Sequence, residues 1–276
     1  MIIGIDIGST TTKAVSLEGG QLPTGGQLVK KIKTKAADAI TSATGALGKM
    51  TVENGIKMRD IQQIMITGVG ATKIEGELFG IPTSKVSEIT AIGTGGMFLS
   101  GQNDIVIANI GTGTAIIEAR KDKIAHLGGS GVGGGTILGL AKKLLSLSNF
   151  SDIMELAGKG SLDPVDLLLE DIMAADLGFL NRKSTASNFG KTLDTARSED
   201  IALGIINMVY QVIGMIAVFA ARSRNIDRVI VTGSGSHNPL GQKILAEITR
   251  MHSVVFEYPE DAEYTTAIGA GLSGIK

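Results

Sequence analysis

Short β-branched apolar runs alternate along this chain with longer stretches of helical period, which is the pattern of an α/β fold. Met1–Ile7 reads as a strand and Lys13–Leu17 as a second, joined by the Gly8–Thr12 turn. Ala36–Asn54 predicts a helix, Gln63–Thr67 a strand and Ala71–Phe79 another helix. Ile81–Val86 leads to Glu88, and Ile89–Ser100 predicts a helix despite its glycines. Asp104–Ile110 and Thr114–Arg120 read as strands around Gly111-Thr112-Gly113. Helices are expected over Gly134–Ser146, Ile153–Ala157, Ser198–Arg222 and Leu240–Met251. Strands are expected at Arg228–Thr232 and Val254–Phe256, and a closing helix at Ala262–Ser273. Gly178–Asp194 has no legible pattern.

One unit occurs twice: strand, Gly/Thr turn, strand. Asp6-Ile7-Gly8-Ser9-Thr10 and Asn109-Ile110-Gly111-Thr112-Gly113 are its corresponding pieces. This reads as a diverged duplication of a hairpin. No Pro- or Ser-rich linker divides the chain, so the expectation is a two-lobed body hinged near residue 100. Residues 1–100 form the N-terminal lobe and 101–276 the C-terminal lobe. Ile201–Ala221 is long and apolar enough to span a bilayer, but it carries Asn207 and Gln211. A buried or interface helix is the expected reading, without a membrane.

With 43% hydrophobic residues the chain can bury a core. Lys+Arg (26) nearly cancel Asp+Glu (27), so no global field draws it to nucleic acid or an anionic membrane. Cysteine is absent, which excludes disulfides, thiolate metal sites, iron–sulfur clusters and Cys nucleophiles. The start lacks the basic n-region of a signal peptide, and a cytoplasmic protein is expected. The 38 glycines cluster between apolar runs, which suggests backbone close to a ligand.

The chemistry gathers in four places. Asp6-Ile7-Gly8-Ser9-Thr10-Thr11-Thr12-Lys13 ends a strand in a turn whose amides and hydroxyls can hold phosphate oxygens. Lys13 adds a cation, and Asp6 can hold Mg²⁺ directly or through water. Asn109–Thr114 offers a second such turn through Gly111, Thr112 and Gly113. Gly128–Thr136 has six glycines in nine positions and runs into a helix at Gly134, whose amides can face an anion. It is neither a Walker A loop nor a dinucleotide fingerprint. Val231–Pro239, with Gly233 and Ser234, can cap an adenine or ribose, or serve as a plain strand-to-helix loop. Glu88, just past a strand, can act as general base toward a substrate hydroxyl or cap a helix. His126 precedes the glycine-rich stretch and can meet an anionic substrate.

Together these motifs resemble the actin, heat-shock chaperone and sugar-kinase superfamily, and within it the type II pantothenate kinase family. The resemblance runs over nearly the whole chain. GIDIGSTTTK, Glu88, ANIGTGT, GGSGVGGGTILGL, TASNFGK (Thr185–Lys191), VTGSGSHN and TTAIGAG carry it. It implies a two-lobed actin-like ATPase (ribonuclease H-like) fold with a nucleotide cleft between the lobes. It implies transfer of the ATP γ-phosphate to the primary hydroxyl of pantothenate, the first step toward coenzyme A, with Glu88 as base and Mg²⁺ as cofactor. It places ATP contacts on Asp6–Lys13, Gly111–Gly113, Gly134, Gly135, Thr136, Ile137, Leu138, Phe150, Gly233 and Ser234. It further implies a homodimer built partly on Ile201–Ala221, and regulation by coenzyme A or its thioesters. Two positions depart from the family. His126 stands where the family has an Arg that meets substrate, with Arg120 or Lys123 as nearby substitutes, and Thr90 stands where some members have an acidic residue. These departures leave open another small alcohol as acceptor, or an ATP-binding switch. The N-terminus is also similar to the ATPase activators of 2-hydroxyacyl-CoA dehydratases, whose iron–sulfur cluster needs cysteines that this chain lacks.

Overall fold

Ile3, Ile5 and Ile7 alternate onto one face of β1 (Ile2–Ile7) and are buried there, which leaves Asp6 on the other face. The computed structural model describes residues 1–19, 26–173 and 181–275. β1 pairs antiparallel with β2 (Thr11–Gly19), and β2 with β3 (Gly26–Lys35). α1 (Ala39–Asn54) then packs on the isoleucine face. Asp38 caps it by accepting from the Thr41 amide, and left-handed Gly55 ends it. β4 (Gln63–Thr67) and β5 (Thr83–Lys85) join in parallel, giving the order β3-β2-β1-β4-β5.

Between β4 and β5 the helix expected over Ala71–Phe79 does not form. Val69–Lys73 is a 3-10 turn, and left-handed Gly76, Phe79 and Gly80 break any continuation. α2 (Glu88–Ser100) begins at Glu88 and leads to the second sheet. There β6 (Ile105–Ile110), β7 (Thr114–Arg120) and β8 (Lys123–Ser130) form a meander. α3 (Gly134–Leu145) and α4 (Phe150–Ala157) follow. β9 (Leu167–Leu168), α5 (Leu169–Ile172) and β10 (Thr185–Ser187) make a small annex. Of the illegible Gly178–Asp194 stretch, residues 178–180 lie outside the described residues.

α6 (Ser198–Ser223) is the central helix of this half. Ala202, Ile205, Val209, Ile213 and Ala217 bury one stripe of it in the largest core cluster. Among the described residues it is the one helix long and apolar enough to cross a bilayer, and most of that stretch is buried inside the protein. β11 (Arg228–Thr232), α7 (Pro239–His252) and β12 (Val255–Glu257) complete the second sheet, in the order β12-β11-β6-β7-β8.

α8 (Thr265–Leu272) then returns to the Asp6 face of the first sheet. It crosses α2 backbone to backbone. A Cβ at Gly269 would stand 1.8 Å from the Ala91 carbonyl oxygen, and one at Gly95 2.0 Å from that of Thr265. Within α2, Gly95 thus serves this crossing, while Gly93 and Gly96 make room for Ile124 and Ile107 of the second sheet.

The candidate nucleotide cleft

The two Gly/Thr turns, from β1–β2 and β6–β7, face each other. Thr112 Oγ1 lies 2.9 Å from Ser9 Oγ and 3.3 Å from Thr10 Oγ1. Lys13 Nζ reaches out of the first sheet and donates to Ser234 Oγ at 2.8 Å, in the loop after β11. Between these elements lies a cavity of about 570 Å³. Its walls bring together Asp6, Gly8, Ser9, Thr10, Thr11, Lys13, Glu88, Gly111, Thr112, Gly113, Gly134, Gly135, Ile137, Leu138, Phe150, Gly233 and Ser234. The lining includes hydroxylated and charged side chains and also Ile137, Leu138, Phe150 and Tyr210, the apolar and aromatic kind of surface a purine needs.

Four of the expected residues are not on that wall. Ile7 is core, and Thr12 is buried behind it. The Thr136 hydroxyl turns back to donate to the Gly131 carbonyl and accept from the Gly133 amide, which fixes the start of α3. His126 is exposed on β8 opposite Ile117. Ile117 and Ile124 pack in the cluster facing α2, so His126 shares that face, four residues short of Ser130 at the cavity. Arg120 and Lys123 lie at the far end of the β7–β8 hairpin, about 20 Å from its cavity end by strand rise. Arg120 is held there by Glu118 and Asp104. Neither residue lines the cavity.

The glycine-rich stretch works differently from the expectation. The amides that open α3 are already engaged: Gly134 donates to Gly111 O and Gly135 to Thr112 O, both at 2.9 Å. A Cβ at Gly133 would stand 2.6 Å from Thr112 O, and one at Gly129 2.4 Å from Thr114 O. The close backbone approach is thus to the second phosphate turn, which the stretch braces. The Thr185–Lys191 motif also lies away from the cavity. Thr185, Asn188, the Phe189 amide and Asn207 of α6 all donate to the buried Asp166 carboxylate, which pins the annex to α6.

Burial pushes the Asp6 carboxyl up to about 7, with Lys13 pulling it down and Glu88 pushing it further up. Burial also lowers Lys13, which the negative charge of Asp6 opposes. Glu88 is open to solvent on one side, yet the surrounding wall removes enough water to raise its carboxyl. The cavity therefore holds two carboxyl groups poised toward neutrality and one buried ammonium. That is the charge set of a site awaiting phosphate and a cation.

Several wall residues escaped the motif reading: Lys33, Val69, Ala115 and Tyr210. So did Gly68, which sits against Asp6. The Gly68-Val69-Gly70 turn follows a strand end, a signal that could have marked it.

Two lobes with paired phosphate turns define an actin-like phosphotransferase of the sugar-kinase type. Solved structures share this fold. The activator of 2-hydroxyisocaproyl-CoA dehydratase from Clostridium difficile, solved with bound ADPNP, superposes with a TM-score of 0.70 at 20% identity, over 99% of this chain and 94% of that one. A ROK family glucokinase from Streptomyces griseus, in complex with glucose and AMPPNP, gives 0.64 at 15% identity, over 99% and 98%. The Fumble family model matches residues 104–270. A type II pantothenate kinase of Bacillus anthracis is 32% identical over 98% of this chain and 96% of its own length. One from Staphylococcus aureus is 27% identical over 98% of both. The chain belongs to the type II pantothenate kinase family.

Proposed function

We propose that the protein transfers the γ-phosphate of ATP to the primary hydroxyl of pantothenate, in the cytoplasm, as the first step toward coenzyme A. The observation that carries this reading is the placement of Glu88 on the wall of the same cavity as both phosphate turns. The names of the relatives supply the acceptor.

Ser9, Thr10 and Thr112 offer hydroxyls to the phosphate chain, with Lys13 as the cation that leaves Ser234 for a phosphate oxygen. Ile137, Leu138 and Phe150 take the base. Glu88 accepts the proton of the acceptor hydroxyl as that oxygen attacks phosphorus. The new O–P bond forms as the bond to the ADP oxygen breaks. His126, on the neighbouring face of β8, meets the acceptor.

Mg²⁺ fits this donor set. Asp6 is a hard oxygen ligand on the cavity wall, where burial disfavours its bare charge and a cation would restore it. No cluster of three or more acidic or His side chains occurs among the described residues, as suits an ion held by one carboxylate, water and substrate phosphates. Bound there, it would neutralise charge on the β- and γ-phosphates.

The half-exposed apolar stripe of α6 that includes Met215, Ile216 and exposed Phe219 is the face we assign to a homodimer. Coenzyme A or its thioesters are the feedback ligands to test. His126 favours one second reading, the same chemistry on another small alcohol. ADP release measured with ATP, Mg²⁺ and a panel of alcohols separates the two. Turnover of pantothenate above the other acceptors supports the first, and turnover of another alcohol alone supports the second.

A further inference from the structure

The loop Gly233-Ser234-Gly235 offers the cavity one polar side chain, Ser234, and its position depends on how its two glycines are held. All four of their backbone groups have main-chain partners. The Gly233 amide donates to Ala262 O at 2.8 Å, the Gly235 amide to Ile110 O at 3.0 Å, and Gly233 O accepts from the Ser236 amide at 3.1 Å. The fourth, Gly235 O, accepts from the Asn238 amide at 3.3 Å and, more closely, from a side chain of another element. Tyr210 Oη of α6 donates to it at 2.7 Å.

Tyr210 is 1% exposed, yet its ring forms part of the cavity wall. The fit around it is built in. A Cβ at Gly241, in the first turn of α7, would stand 2.3 Å from the ring, and one at Gly235 would stand 3.2 Å from Oη. The Asn238 side chain, which caps α7, lies beside the same hydroxyl. Burial raises the phenol pKa, so the group remains a donor at physiological pH.

We infer that Tyr210 is a positioning residue for the nucleotide: its hydroxyl fixes Gly235 against α6, and so sets where Ser234 meets the ligand. Tyr210 touches neither phosphorus nor the acceptor, and it acts through the loop. The chemical step and acceptor binding should therefore ignore its hydroxyl, while nucleotide affinity should feel it. The inference rests on the nucleotide reading of the cavity.

The test is a double-mutant cycle of Tyr210→Phe and Ser234→Ala. It reads calorimetric binding of a non-hydrolysable ATP analogue with Mg²⁺, steady-state kinetics and melting of the ligand-free protein. Tyr210→Phe should weaken analogue binding and raise KM for ATP about fivefold to tenfold, as loss of one hydrogen bond to a buried carbonyl implies. kcat and the acceptor KM should stay within about twofold. The double variant should bind little worse than the weaker single one, because both substitutions act through one loop. Tyr210→Phe keeps the ring and its packing, so the ligand-free variant should melt near wild type, which separates the ATP-specific loss from poor folding.

Wild-type affinity in Tyr210→Phe, multiplicative losses in the double variant, or equal falls in kcat and acceptor binding would each overturn the inference while leaving the nucleotide reading intact. A wild-type protein that binds no analogue would overturn both.

Discussion

A methyl group at Gly68 would stand 2.6 Å from Asp6 Oδ1. Gly68 is also left-handed, with φ 85°, and follows Thr67, which pairs in register with Asp6. The turn after β4 thus forms one wall of the Asp6 carboxylate. Gly68→Ala pays twice, for the backbone angle and for the clash, with an expected loss of about 1–3 kcal/mol of stability from the backbone alone. The sharper expectation is functional. Displaced Asp6 should raise the Mg²⁺ concentration needed for half-maximal activity more than it raises the acceptor KM. Titration of activity with Mg²⁺ checks this, and an unchanged Mg²⁺ requirement would count against the wall.

Asp6 also makes stability depend on pH. Its carboxyl titrates at about 7 in the fold, against an ordinary 3.8. Between those values the native state holds a proton that the unfolded chain has released. Wild-type stability therefore falls as pH rises through that window. An amide has no such proton, so Asp6→Asn and wild type should melt alike near pH 4. The variant should melt increasingly higher toward pH 7 and by a constant margin beyond it. A difference that does not vary with pH would contradict the raised carboxyl. Mg²⁺–nucleotide binding has the opposite sense, because it needs the ionised carboxylate: it should strengthen with pH up to about 7.

Ser9 and Thr112 hold the two phosphate turns together across the cleft. Both are on exposed turns, so Thr112→Val should cost the free protein little. It should weaken ATP binding about tenfold, since hydrogen bonds to charged groups are worth more than neutral ones. Calorimetry reads the binding and melting the stability. A large stability loss with unchanged ATP binding would make the contact structural.

His126→Arg restores the guanidinium that the relatives' pattern leads one to expect. It lies on the α2 face of β8 and away from the phosphate turns. The acceptor KM should fall about tenfold while the KM for ATP stays fixed. Steady-state kinetics with each substrate varied separately decides it. A change in KM for ATP alone would move His126 to the nucleotide side.

The parts of the fold that could be read from the chain were those where burial writes the period. β1, α1, β6, β7, α6 and β11 were of this kind, each with an apolar face against a core. β3 was not legible, because Lys30, Lys31, Lys33 and Lys35 make it look like a loop. As an edge strand it tolerates lysines, and it uses Lys31 and Lys33 to pair with Asp261 and Glu263. β8 was hidden by Gly128 and Gly129: Gly129 leaves room for Thr114 O of the adjoining strand, and Gly128 takes a φ of 146°. The helix expected after β4 failed because Gly76, Phe79 and Gly80 turn left-handed. At the site, residues with chemistry were visible as motifs. Tyr210 and Gly68 were not, since each matters through a neighbour that only the fold supplies.

The proposed chemistry depends on a carboxylate in the cleft that deprotonates an alcohol while the paired turns hold the triphosphate. Mass spectrometry of pantothenate incubated with ATP and Mg²⁺, for wild type and Glu88→Gln, tests it most directly. Wild type should yield phosphorylated pantothenate, formed about 10²–10⁴-fold more slowly by the variant, with ATP-analogue affinity unchanged. Equal rates from both proteins, or no phosphorylated pantothenate from wild type that binds the analogue, would contradict it.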